Sequence, residues 1–445
     1  MLNQEGGKVI ASGGFGCIFK PALKCDNSEM RETNKISKLM TIKHATEEYK
    51  QIQQFNHILQ VIPNYERYFL LDNFVLCKPS KLTKDDLNKY NKKCKALKKK
   101  DITKKNINKN LDKLMTLNMP YGGINVEEFI QSYFINTNII RLNNSLIELL
   151  VNGIIPMNKL NVYHCDIKDG NILVEISETT LTTRLIDWGI SVIYNSNETN
   201  KIPRKLYRRP FQYNVPFSSI LFNKDFMKLY TKFLTLNQNP NSYQIREFIM
   251  NYIFIWNETR GSGHLSAIND IIRELTIKEL PSIKNKKVKE HVVEYDFTYY
   301  YIIDYLSAIL EKFTNNGVFD LMLYFNTVFL KNIDIWGFTM TYIVLYEYLY
   351  RSFDSLNEYQ MQFVLKIKYI IIHFLFECPV TPINTDLLVN EFKSLNKLID
   401  MFDIPKKSLK LELEIGGKLS RGKTNKNRNI KRNKTMKRKS RKHNK

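Results

Sequence analysis

The sequence predicts an α+β protein, with short strands over residues 1–118 and helices over residues 119–415. Three observations carry that expectation. Ile10-Ala11-Ser12-Gly13-Gly14-Phe15-Gly16-Cys17-Ile18-Phe19 alternates around a glycine cluster, the pattern of a strand–turn–strand unit. From Ile124 to Leu160, and again at Tyr299, Tyr300, Ile302, Ile303, Leu306, Ile309 and Leu310, apolar residues recur at helical spacing. The net charge of +23 sits in two segments: residues 78–113 hold 14 Lys against four Asp, and residues 418–445 hold 14 Lys/Arg and no acid. The rest of the chain is close to neutral, so the basicity belongs to appendages and not to the folded core.

Size and composition exclude several classes. With 445 residues, 43% hydrophobic and 12% aromatic, the chain can bury one large or two medium cores. No apolar run reaches the length of a membrane span; the longest, Tyr369–Phe376, has the length of a core helix. Met1–Gly6 does not read as a signal peptide. The six cysteines, at 17, 25, 77, 94, 165 and 378, show neither metal-ligand nor disulfide-framework spacing, and are expected to be free thiols in a reducing compartment.

Each element has a local reason. Lys35-Ile36-Ser37-Lys38-Leu39-Met40 reads as a short strand. Ala45–Gln60 puts Ile52, Phe55 and Leu59 on one helical face, with Glu48 one turn before Ile52. Leu70–Cys77 reads as another strand. The Lys-rich segment 78–113 then interrupts the strands as an insertion, either a solvated helical excursion or a surface for acidic partners. Leu114–Gly123 returns to a strand that ends at two glycines. Residues 222–331 are aromatic-rich and helical in pattern, and helices continue to about Asp403. From Gly416 on, the tail has too few apolar residues to bury a core and is expected to be disordered. Its charge suits nucleic acid, nuclear import or an acidic membrane surface, without aromatics to stack on bases.

The chemistry concentrates in one stretch. Tyr163-His164-Cys165-Asp166-Ile167-Lys168-Asp169-Gly170-Asn171-Ile172-Leu173-Val174 sets an acid, a cation and an amide at fixed offsets ahead of an apolar strand. Sixteen residues after Asn171 comes Asp187, within Ile186-Asp187-Trp188-Gly189. Phosphoryl transfer asks a protein mainly for positioning and charge neutralisation. Oxygen ligands such as Asn171 and Asp187 suit a hard cation, and Gly189 permits a sharp turn after the acid. The bland alternative is a surface turn between two strands.

These motifs resemble the protein kinase superfamily: its catalytic loop H-x-D-x-K-x-x-x-N, shortened here to H-x-D-x-K-x-x-N, then its D-x-G metal motif. The resemblance implies a bilobal protein-kinase-like fold, with a β-rich small lobe at 1–118 and a hinge and helical large lobe at 119–415. It implies ATP and Mg²⁺, with Asp166 taking or orienting the proton of the acceptor hydroxyl and Lys168 beside the γ-phosphate. Asn171 and Asp187 would hold the metal, and His164 would pack under the loop. The glycine cluster resembles the phosphate-covering loop G-x-G-x-F-G-x-V, with Ala11 for the first glycine. That implies nucleotide contacts from Ile10, Ala11, Ser12, Gly13, Gly14, Phe15, Gly16 and Ile18. Lys38, or else Lys35, matches the lysine of V-A-I-K, with Glu48 or Glu47 as its partner. Met119, Pro120 and Tyr121 match the hinge that offers backbone groups to adenine. Asn332–Phe338 resembles D-x-W-x-x-G, its glycine early, which implies that Asp334 caps the central large-lobe helix and binds the catalytic-loop backbone.

Two departures bear on control. Cys165 stands where regulated kinases carry Arg, and no A-P-E appears in the segment 190–222, which by the resemblance is the activation segment, Asn214-Val215-Pro216-Phe217 being its nearest remnant. Activation by loop phosphorylation is therefore not expected. The narrower resemblance is to the divergent serine/threonine kinases of large nucleocytoplasmic DNA viruses, which implies synthesis in an infected cell, with the host cytoplasm, the virion or, through the tail, the nucleus as location. Lys168 favours a protein serine/threonine kinase over an aminoglycoside-phosphotransferase-like enzyme. A scaffold that binds partners through its basic appendages is the third reading.

Overall fold

A computed structural model describes residues 7–402, except 178, 277–283 and 286–297. Asp403 and the basic tail lie outside the described residues. Within them a small β region precedes a larger helical one, as the sequence predicts.

The β region is a five-stranded antiparallel sheet of β1 (Lys8–Ser12), β2 (Gly16–Lys20), β3 (Lys35–Thr41), β4 (Val75–Cys77) and β5 (Leu114–Pro120), in the order β1-β2-β3-β5-β4. Successive side chains on a strand point to opposite faces. On β3, Leu39 accordingly joins one apolar cluster and Met40 the other, and both are fully buried. The sheet is therefore covered on both faces. Helix α1 (Ile42–Leu59) covers the Met40 side with Ala45, Ile52, Phe55 and Leu59.

The Lys-rich segment covers the other face. It is not a solvated excursion: through the short helices α2 (Tyr90–Lys93) and α3 (Lys95–Lys98) it buries Leu82, Leu87, Tyr90, Ala96, Leu97, Ile102 and Ile107 against Val9, Cys17, Phe19 and Leu39. The expectation of six free thiols is overturned here. Cys17 is bonded to Cys94 and Cys25 to Cys77, leaving Cys165 and Cys378 free. These partners are 77 and 52 residues apart in sequence, so no local spacing announces them. The strand expected over Leu70–Cys77 shrinks to β4, because Leu70 instead donates its N–H to Leu185 O.

A second, three-stranded sheet joins β6 (Ile124–Asn125), β8 (Ile172–Ile176) and β9 (Leu181–Leu185). β7 (Val162–Tyr163) pairs with β10 (Val192–Ile193). Asn125 caps α4 (Val126–Tyr133), accepting from Glu128 N–H, and α5 (Asn136–Glu148) follows. The segment 222–331 is helical where described: α6 (Lys224–Leu236), α7 (Ser242–Arg260), α8 (Leu265–Thr276) and a helix over Thr298–Phe313. Against the expectation that no apolar run reaches the length of a membrane span, the helix Leu321–Tyr350 is long and apolar enough to cross one, but 94% of its most apolar window is buried inside the protein. Tyr369–Phe376 closes the helix Glu358–Ile371 with a wide final turn, and the last described helix is Thr385–Asp400.

Candidate functional site

The site begins at the β1–β2 turn. Gly13 N–H donates to Gly16 O at 3.0 Å, which closes the turn. Only glycine fits at 16, where a Cβ would lie 2.7 Å from Leu39 O. Gly13 and Gly14 face open space. Phe15 at the tip is 54% exposed and rests on the His44 ring, 4.6 Å between centroids. Ile10 O accepts from Lys93 Nζ at 2.8 Å, and Ser12 Oγ accepts from Lys95 and Ala96 N–H at 3.2 and 3.1 Å. The Lys-rich segment thus grips the turn from outside.

β3 presents Lys38 opposite Ile18 on β2 and Leu117 on β5. Its Nζ lies 2.7 and 2.8 Å from the two Glu48 carboxylate oxygens, a two-point ion pair between strand and helix. Glu47 faces away toward His44, at 3.8 Å, and Lys35 pairs with Glu32. Of the four residues, Lys38 and Glu48 are the two that pair with each other, while Lys35 and Glu47 take other partners. At the end of β5, Met119 pairs with Ile36 and Pro120 with Lys35. The Tyr121 ring carries Lys20 Nζ at 3.2 Å from its centroid. Gly123, at φ +102°, runs so close to β8 that a Cβ would sit 2.0 Å from Val174 O.

Between β7 and β8, the chain from His164 to Asn171 folds around Asp166. Lys168 Nζ lies 2.8 Å from Asp166 Oδ2. Asn171 Nδ2 donates to Asp166 O at 2.8 Å and to Oδ2 at 3.0 Å. Asn214 Nδ2 donates to Asp166 Oδ1 at 2.9 Å and to Ile167 O at 3.1 Å. Burial alone would raise the Asp166 carboxyl. The Lys168 charge, hydrogen bonds from Lys168 and Asn214, and nearby His164 outweigh it and hold the carboxyl below its usual value. An ionised, oriented carboxylate results.

His164 is fully buried, as expected, with Nε2 3.0 Å from Ile186 O and its ring edge-on to Trp188 at 5.0 Å. Trp188 also meets Phe55 of α1 at 5.3 Å. The helix that carries Glu48 is thereby packed against the residue that follows Asp187. Ile186 N–H donates to Asn171 O at 3.0 Å, so the residue before Asp187 is tied to the other predicted metal ligand. Asp187 has φ 66° and is exposed, and its carboxylate has no hydrogen bond or ion pair among the described residues. With its amide nitrogen committed to Asp166, Asn171 keeps its side-chain oxygen for a ligand. Two oxygen donors on adjoining strand ends suit Mg²⁺ completed by phosphate oxygens and water. Among the described residues no cluster of three or more His, Cys, Asp or Glu forms a separate metal site.

Asp334 does not cap a helix. It lies inside the helix Leu330–Met340, fully buried, and accepts from His164 N–H at 2.8 Å, Cys165 N–H at 2.7 Å and Asn158 Nδ2 at 2.8 Å. The expected bonds to the loop backbone are present, reached from the helix side and not from its end. The early glycine has a reason: a Cβ on Gly337 would sit 2.4 Å from Ile167 O and 3.1 Å from Asn214 O.

Three residues at the site escaped the sequence reading. Asn214 was legible only as a degraded A-P-E. Arg209 is 7% exposed and donates from Nη1 to Cys165 O at 2.8 Å and from Nε to Gln212 Oε1 at 2.8 Å. Tyr213 donates to Asp169 Oδ1 at 3.0 Å and stacks with His264, 5.7 Å between centroids, from the loop before α8. No local pattern marks these; each depends on a chain reversal far from the Asp166 motif. No family model matches the sequence, and no curated protein matches it.

Proposed function

We propose that the chain is a protein serine/threonine kinase with the bilobal kinase fold, transferring the γ-phosphate of ATP to protein hydroxyls with Mg²⁺. The observation that carries the reading is the joint arrangement of the Lys38–Glu48 pair with an ionised Asp166 held by Lys168, Asn171 and Asn214. When bound, Mg²⁺ neutralises phosphate charge; Asn171 and Asp187 are the residues that would hold it. Lys38, fixed by Glu48, would orient the α- and β-phosphates. The acceptor oxygen attacks the γ-phosphorus while the bond to the ADP oxygen breaks. Asp166 orients that hydroxyl and takes its proton, and Lys168 offsets the charge spreading over the transferred group.

The test is transfer of labelled γ-phosphate to a basic and an acidic acceptor protein by the wild type and by Lys38→Met, Asp166→Ala and Asp187→Asn. Loss of Asp166 removes base and positioning together, a fall of about 10²–10⁴-fold. Label on Ser and Thr that vanishes in all three variants is the expected result. Nucleotide binding with no transfer to protein would overturn it in favour of a scaffold or a small-molecule kinase.

A further inference from the structure

We propose that the folded Lys-rich segment, residues 78–113, is a docking face for the phosphate backbone of duplex nucleic acid. This does not rest on the phosphotransfer reading. All 14 lysines of the segment are exposed, while its apolar side chains point into the sheet. One of its four acids, Asp86, is buried and neutralised by Arg31 through two contacts of 2.7 and 3.1 Å. Only Asp85, Asp101 and Asp112 remain to offset the exposed cations.

The chemistry of the face selects its partner. The cations are all lysines, compact point charges without the planar fork of arginine that reads base edges. The segment's single aromatic ring, Tyr90, is fully buried and its hydroxyl is bonded to Ile102 O at 2.8 Å. Nothing is left to stack on unpaired bases, which sets a duplex backbone above a single strand. No large apolar side chain of the segment is exposed, so nothing enters a bilayer, which sets nucleic acid above a lipid surface.

The face is also preformed. Cys94 is bonded to Cys17, and Tyr90, Leu97 and Ile107 are packed on the sheet, so few backbone dihedrals need ordering on binding. Lys93, Lys95 and Ala96 hold the turn that carries Gly13 and Gly14, so an occupant of the face presses directly on that turn.

The test uses the full chain with a mixed-sequence duplex, followed by fluorescence anisotropy across a salt series. The variant changes Lys99, Lys104, Lys105 and Lys109 to Gln, exposed positions whose loss leaves the core intact. Each phosphate contact contributes about 0.9 to the slope of log affinity against log salt, so loss of four contacts should shrink the variant's slope by about 3.6, and its affinity at low salt by tenfold or more. Because the tail is also basic, lysine acetylation with mass-spectrometric readout supplies the local signal: the duplex should protect Lys99, Lys104 and Lys105. An unchanged slope, or protection confined to residues 418–445, would overturn the proposal. So would protection of the segment by phosphatidylserine vesicles but not by the duplex.

Discussion

Gly337→Ala tests the packing that holds the Asp166 loop, because two physical effects there have opposite signs. Gly337 lies inside the helix Leu330–Met340, where alanine should stabilise by about 1 kcal/mol through helix propensity alone. The new Cβ would sit 2.4 Å from Ile167 O and 3.1 Å from Asn214 O, both backbone atoms with no rotamer to turn away. Relief requires the helix to move off by about 1 Å to reach ordinary contact distance. Asp334, bonded to His164 and Cys165 N–H, and Trp336, whose Nε1 donates to Tyr213 O at 3.0 Å, tie the same helix to the same loops and resist that movement. Overpacking of this kind costs about 1–3 kcal/mol, and contact with two fixed backbone oxygens puts it toward the upper end, so the steric effect wins with a net loss of up to about 2 kcal/mol. Urea unfolding of the full chain, followed by tryptophan fluorescence, measures it. In the reading proposed above, phosphotransfer assayed without urea and well below the transition should fall more than stability does, since a displacement of about 1 Å next to Asp166 can cost on the order of 10²-fold. A variant more stable than the wild type would refute the close approach, and with it the account of why a glycine stands there.

Two further outcomes follow from buried groups and cross-links. Burial, and then the neighbouring Glu274 charge, raise Glu347 to about 7 from an ordinary 4.5. The folded chain holds this proton more tightly than the unfolded one, so its contribution to stability is present at low pH and is lost as pH rises from about 4.5 to about 7. Glu347→Gln should therefore match the wild type near pH 4 and gain on it toward pH 8 in melting temperature; a gap that stays constant with pH would refute the assignment. Reduction should lower the urea midpoint, because bridges spanning 77 and 52 residues each restrict the unfolded chain by up to about 4 kcal/mol. Cys17→Ser with Cys94→Ser should reproduce part of that loss without reductant, and equal midpoints in the two redox states would count against the pairings.

What the sequence disclosed was local, and what it hid was long-range. The β1–β2 turn, β3, α1 and the Asp166 loop are each written in a dozen or so consecutive residues, as glycine placement, alternation or helical period. The Lys38–Glu48 pair was named from the resemblance, with Lys35 and Glu47 left open, because the contact between strand and helix is tertiary and no sequence window contains it. Leu70–Cys77 misled because apolar character alone does not say whether a backbone joins a ladder, and Leu70 bonds to β9 instead. The Lys-rich segment misled through composition: its dense charge masks apolar residues spaced widely enough to bury one face. The cysteine pairs and the Asn214 and Arg209 contacts depend on tertiary closure, which no window of sequence contains.

Arg209 and Asn214 also bear on how such a site would be controlled. In the reading proposed here, the segment 190–222 must be held against the Asp166 loop for an acceptor to bind. A phosphorylated residue facing a loop arginine is one way to hold it, and Cys165 removes that arginine. Here the cation comes from the segment itself: Arg209 reaches back to Cys165 O, and burial lowers its pKa. Lys205 Nζ donates to Ser191 O at 3.0 Å, and Asn214 binds the Asp166 carboxylate. Each bond uses a side chain present from synthesis and none requires a phosphate. The arrangement is assembled without modification, so control would have to act elsewhere, and the β1–β2 turn gripped by Lys93, Lys95 and Ala96 is the element through which a partner on the Lys-rich face would exert it.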